Sequence, residues 1–240
     1  MSGGEMETQA QKFIGVVCGL KSEAQTVSAV VDSSKVLVGV SGANAGRAED
    51  IARSLCNQGA VAIISIGVSG GLDPALQPGD LIMGDQVIGD DGGRYECDRY
   101  LTGVVRDEIG ARGARTGTLF GSDEIIESAQ KKAALFQNHG CLAVDMESHG
   151  AARAAAERQV PFLAIRAIAD PAGRALPKAA LSAVAPDGST RVLKTLGAAL
   201  RDPRQFPELM KLGSDSGAAT KTLKRDLGPL FDRLFVSLDL

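Results

Sequence analysis

Short runs rich in valine and isoleucine recur along the chain, and their spacing constrains the fold more than any other feature. They lie at residues 13–18, 35–40, 61–66, 81–88, 141–144 and 162–168, and each is followed by glycine or polar residues. Apolar residues occupy both sides of the pleat, which marks strands buried on both faces. Between them lie helical patterns. Residues 47–57 carry Ala48, Ile51, Ala52 and Leu55 on one face and stop at Gly59. Residues 124–138 place Ile125, Ala129, Lys132 and Phe136 at helical spacing, and 147–159 are alanine-rich up to Pro161. Strands alternating with helices predict an α/β chain, a three-layer α/β/α arrangement around a mixed, mostly parallel central sheet. At 240 residues the chain reads as one domain over 1–240. Residues 1–11 are expected to be disordered. Residues 186–240 form a helical tail on the domain, whose last amphipathic stretch is expected to break near Gly228-Pro229.

Charge and composition then narrow the function. Lys plus Arg number 26 and Asp plus Glu 29, so the net charge is −3 and no polybasic surface is available for duplex nucleic acid. Seven Phe, two Tyr and no Trp leave few stacking platforms for single strands. Cys18, Cys56, Cys97 and Cys141 stand far apart, with no C-x-x-C and only two His, so no metal site is expected. With no basic leader and no apolar run of membrane-spanning length, the chain reads as a cytoplasmic protein with reduced thiols. Peripheral membrane contact stays open.

In sheets of this kind ligands lie beyond the carboxyl ends of the strands. There the sequence puts Gly19, Lys21 and Glu23, then Arg47, then the glycine stretch from Gly67, then Asp145, Met146 and Glu147, and finally Asp170. Glu23, Glu147 and Asp170 would converge on one rim beside glycine-lined backbone. Gly67-Val68-Ser69-Gly70-Gly71 fits G-x-S-x-G, but loop and turn residues follow it where a nucleophile elbow must open into a helix. A serine hydrolase is therefore disfavoured. The G-x-G-x-x-G fingerprint of nicotinamide enzymes is absent.

Four segments resemble the nucleoside phosphorylase and nucleosidase superfamily, which includes methylthioadenosine/adenosylhomocysteine nucleosidases. They are 16–23, the long signature 67–80, Val144-Asp145-Met146-Glu147, and Ile165-Arg166-Ala167-Ile168-Ala169-Asp170. The resemblance implies cleavage of a purine N-glycosidic bond without a cofactor. Asp170 would act as acid or hydrogen-bond partner at the purine, and Arg166 would support it. Glu147 and Met146 would hold the ribose. Glu23 would position and deprotonate water. The stretch Ser65-Ile66-Gly67-Val68 lacks the Arg and Ser that hold phosphate in the phosphorylases, so Lys21, Arg47, Gly19 and Gly67 stand as candidates for a phosphate co-substrate. Gly121-Ser122-Asp123-Glu124-Ile125 lacks the aromatic that stacks on the purine, which leaves Ser122, Asp123 and Ile125 as base-binding candidates.

A narrower resemblance, to the hopanoid-associated phosphorylases, rests on 18–24, Asp145-Met146-Glu147-Ser148-His149, Asp170-Pro171-Ala172 with Leu176-Pro177, and the tail from Pro186. It implies phosphorolytic release of adenine from adenosylhopane. A hydrolytic nucleosidase of the methylthioadenosine type is the alternative, and a non-catalytic nucleoside-binding protein a third reading. The implied partners are a small nucleoside, lipid-linked in the first reading, and further copies of the chain in a homo-oligomer. His149 is either a wall of the lipid slot or a plain helix residue.

Overall fold

A computed structural model describes residues 12–180, 184–190 and 203–240. The expectation for residues 1–11, and the part of the tail at 191–202, lie outside the described residues. In chain order the elements are β1 (Phe13–Cys18), α1 (Lys21–Ser28), β2 (Val36–Val40), α2 (Ala45–Asn57), β3 (Ala60–Gly71), β4 (Leu81–Gly89), β5 (Arg94–Glu96), α3 (Arg99–Ile109), β6 (Arg115–Gly121), α4 (Ala129–His139), β7 (Ala143–Asp145), α5 (Ser148–Glu157), β8 (Phe162–Asp170) and α6 (Phe206–Leu238).

The strands form one mixed sheet of eight, and five of its eight pairings are parallel. All six residues of β1 and all nine of β8 are buried, as expected for strands covered on both faces. The helices gather in two groups around the sheet. In one, α2 packs on α5; in the other, α6 packs on β8, α3 and α1.

The sheet also curls. β3 runs to Gly71, well past the expected end at residue 66. It pairs in parallel with β8 until the register shifts between Ser69 and Gly70, and Gly70 and Gly71 also pair antiparallel with Val144 and Ala143 of β7. β8 in turn pairs with β4, β4 with β6, and β6 with β7. Five strands, β3, β8, β4, β6 and β7, therefore close into a ring. The glycines allow the closure: a Cβ on Gly70 would stand 3.3 Å from both Asp170 Oδ1 and Val144 Cγ1.

Two expectations about helices change. The helix expected from residue 124 begins at Ala129, because Ser128 Oγ accepts the Lys131 N–H at 3.1 Å and caps it there. The residues before it make a turn in which Ser122 Oγ donates to the Glu124 carbonyl at 2.8 Å. The tail helix does not break at Gly228-Pro229. α6 runs through Pro229, a residue that costs a helix interior roughly 3 kcal/mol. Leu223, Leu227, Leu230, Phe231, Leu234 and Phe235 are all buried in the same core as β8, and that packing outweighs the lost hydrogen bond.

Candidate active site

A cavity of about 380 Å³ opens over the rim of the ring. Its lining includes Glu23, Val68 to Gly70, Val144 to Glu147, and Asp170. The three carboxylates expected on one rim are thus brought together. A larger, more open cleft of about 630 Å³ lies between β5, the start of α3 and the end of α5. Its charged residues Arg94, Glu96, Asp98 and Arg99 are exposed or half-buried, and no buried carboxyl among the described residues lines it.

Each carboxylate is held differently. Glu23 sits in the first turn of α1, where three backbone N–H groups reach it. Gly19 and Leu20 donate to Oε2 at 3.0 and 2.8 Å, and Val68 donates to Oε1 at 2.8 Å. Burial still pushes its pKa up, against the pull of those donors and of Arg166. Glu147 follows β7 and is 7 % exposed. Burial, reinforced by the neighbouring Asp145, pushes it up to about 8. Asp145 is opposed by burial as well, yet it falls below its usual value. Arg166 faces it, and its oxygens accept from Glu147 N (2.8 Å), Ser148 N (2.7 Å) and Ser148 Oγ (2.6 Å).

Arg166 does not support Asp170. Its Nε lies 3.1 Å from Asp145 Oδ2, and its Nη2 lies 3.8 Å from Glu147 and donates to Ser65 Oγ (2.6 Å) and Ser148 Oγ (2.9 Å). Four positions along β8 separate it from Asp170, so the two side chains serve different parts of the rim. The cation on Asp170 is Lys132 of α4, fully buried and hydrogen-bonded to Oδ2. Burial raises the Asp170 pKa, and Lys132 opposes the rise.

The four phosphate candidates are committed elsewhere. Lys21 Nζ donates to Asp187 Oδ2 at 2.7 Å on the surface. Arg47 spends its guanidinium on the carbonyls of Ser41 and Gly42, the latter at 2.9 Å. A Cβ on Gly19 would collide with Glu147 Oε1, and one on Gly67 would stand 2.9 Å from Glu23 Oε1. These two glycines make room for the Glu147 and Glu23 side chains, which fill the space an anion would need.

Of the base candidates, Ile125 lines the cavity together with Glu124 and Ile126. Ser122 is used in its turn, and Asp123 turns toward His149 Nε2 at 3.2 Å, so neither faces the cavity. Met146 does line it. His149 is buried beneath Gly121 and forms no part of the wall.

Sequence reasoning missed Lys132, whose signal was a lysine on the otherwise apolar stripe of its helix. It also missed the outer walls Ala180, Val184 and Leu212, which carry no local motif, and gave Leu176 no place in the cavity.

The phosphorylase superfamily family model matches residues 2–201. A futalosine hydrolase from Streptomyces coelicolor is 32% identical over 127 residues, which cover 46% of this chain and 54% of that protein. A 5′-methylthioadenosine/S-adenosylhomocysteine nucleosidase from Marinomonas sp. is 29% identical over 142 residues, covering 48% and 59%. The chain thus spans little more than half the length of the curated relatives it matches. Among solved structures, futalosine hydrolase of Helicobacter pylori superposes with a TM-score of 0.71 at 16% identity, over 93% of this chain and 98% of that one. The Helicobacter pylori 5′-methylthioadenosine/S-adenosylhomocysteine nucleosidase, solved in complex with a pyrrolidinol compound, gives 0.68 at 16% identity, over 96% and 98%. At that identity the likeness is one of fold.

Proposed function

The chain belongs to the phosphorylase superfamily, and from that premise we propose that it hydrolyses the N-glycosidic bond of an adenine nucleoside bearing an apolar 5′ substituent. The observation that carries the reading is the charge of the rim. Among the described residues that line the cavity there is no Lys or Arg, and the nearest cations, Arg166, Lys132 and Arg174, are each ion-paired to a carboxylate. An acidic wall with no free cation suits a sugar that turns cation-like as the base departs, and offers a phosphate dianion no counter-charge.

In this mechanism Glu147 accepts hydrogen bonds from the ribose hydroxyls while Met146 packs on the sugar. Glu23, its carboxylate fixed by three N–H donors, holds a water and takes its proton as the oxygen bonds to C1′. Asp170 delivers a proton to the purine ring, so the base leaves neutral. Ile125, Ile126, Leu176, Val184 and Leu212 supply aliphatic walls, which supports an apolar 5′ group. Adenosylhopane, the substrate that the narrower sequence resemblance implies, has such a group. Phe206 and Met210 are exposed at the start of α6, the helix that also contributes Leu212 to the wall. They would suit the peripheral membrane contact that a lipid-linked nucleoside requires, and a homo-oligomer is the assembly the family resemblance implies. No helix among the described residues is long and apolar enough to cross a membrane.

The test follows adenine release from adenosylhopane and from methylthioadenosine, with and without inorganic phosphate. The expected result is release that ignores phosphate. Strict dependence on phosphate would replace hydrolysis by phosphorolysis, and no release from either nucleoside would remove the catalytic reading.

A further inference from the structure

Lys132 is the one lysine among the described residues with no exposed surface, and nothing in its own helix explains it. Its ammonium has three donors, and three acceptors take them. They are Asp170 Oδ2, the Pro171 carbonyl at 3.2 Å and the Arg174 carbonyl at 3.1 Å. A buried ion pair is weak evidence for stability, since hydrophobic residues of similar volume usually serve as well. Its place on the carboxyl that faces the purine points to another use. We propose that Lys132 is a positioning residue for the departing base. Acting through Asp170, it stores the proton that leaves with the purine, and through the two carbonyls it pins the turn that carries Leu176 to the cavity wall.

The inference rests on the hydrolytic reading above, and its steps balance. The C1′–N9 electron pair goes to the purine as the bond breaks. The Lys132 ammonium passes a proton to Asp170, which passes one to the ring nitrogen, leaving a neutral amine beside a carboxylate. Water bonds to C1′ and yields its proton to Glu23. Solvent then reprotonates the pair as Glu23 releases its own proton. The charged groups facing the pair are few. Arg174 in the following turn and Asp215 of α6 are themselves ion-paired, and they act on Asp170 in opposite directions.

The experiment compares wild type, Lys132→Met and Lys132→Arg on two substrates. Adenine release from methylthioadenosine or adenosylhopane needs a proton on the leaving group; 4-nitrophenyl β-ribofuranoside does not. Lys132→Met is expected to lose roughly 10²–10³ in kcat for adenine release with KM within about threefold, and to keep the nitrophenyl reaction within about threefold. Its alkaline limb of kcat should move to lower pH. Lys132→Arg retains the charge but holds no transferable proton, so it should not restore kcat; it also answers the question if the Met variant does not fold. Equal losses on both substrates, wild-type kcat and pH profile in the Met variant, or full rescue by Arg would each overturn the proposal. A wild type inert on adenine nucleosides would overturn the hydrolytic reading, and this inference with it.

Discussion

Glu147→Gln isolates the most perturbed carboxyl of the site. The side chain is 7 % exposed, Met146 N–H reaches it only at 3.4 Å, and Arg166 stands 3.8 Å away with Asp145 closer to that cation. Its carboxyl is therefore pushed from 4.5 to about 8. The sign follows from linkage. A carboxyl whose pKa is raised on folding binds its proton more tightly when folded, so stability is lost as pH rises from the unfolded value toward the folded one. At 1.36 kcal/mol per unit the full interval is worth roughly 5 kcal/mol, of which roughly 2 kcal/mol falls between pH 6 and pH 8. Glutamine keeps the shape and cannot ionise. Urea denaturation at pH 6 and pH 8 should show wild type losing roughly 2 kcal/mol more than Glu147→Gln over that step, which for a domain of this size is roughly 4–8 °C in Tm. Asp170, also raised, contributes to both proteins and cancels in the difference, whereas the repulsion between Glu23 and Glu147 belongs to the effect measured. Parallel pH dependence in the two proteins would refute the reasoning, because Glu147 would then be ionised in the folded state at pH 6.

Two further substitutions probe the rim. Asp170→Asn should lower kcat by roughly 10²–10⁴ with a native circular dichroism spectrum. It should also cost roughly 3 kcal/mol at pH 7, because Lys132 is left buried without its counter-charge; undiminished kcat would move the acid elsewhere. Gly19→Ala drives a methyl into Glu147 Oε1, and the displaced carboxylate should raise KM for the nucleoside about tenfold or more, at roughly 1–3 kcal/mol in stability. An unchanged KM in that variant would detach Glu147 from ribose binding.

Legibility in the sequence followed the strength of local signals. β1 and β8 are continuous apolar runs and were readable to within two residues, and Glu23, Glu147 and Asp170 could be placed because they follow such runs. α3 was not, since Gly103 interrupts a half-buried face, and β6 was not, since RTGTLFG carries two glycines and no alternation. α1 is polar along most of its length and buries only Glu23, Thr26 and Val27. The errors within the site share one cause. Sequence order puts Arg166 near Asp170 and Lys21 and Arg47 in glycine-containing loops, but pairing is decided by which way each side chain leaves the backbone. Arg166 points to Asp145 and Ser65, Arg47 turns back on its own loop, and Lys21 turns outward to Asp187. Lys132 reaches Asp170 from 38 positions away, a separation at which no local pattern informs.

The closed ring of strands divides the labour of the site between two kinds of support. Glu147 follows and Asp170 ends a strand that pairs with Gly70, so the span between the two carboxyls is fixed by backbone pairing. Ile125, Leu176, Val184 and Leu212 belong to segments outside that ring. On the proposed function, exchanging them should alter which substituent is admitted while the two carboxyls keep their spacing. Grafting the 122–128 segment from a relative is the direct test of whether substrate range moves with the outer walls, since the 171–180 turn also holds Lys132 through its Pro171 and Arg174 carbonyls.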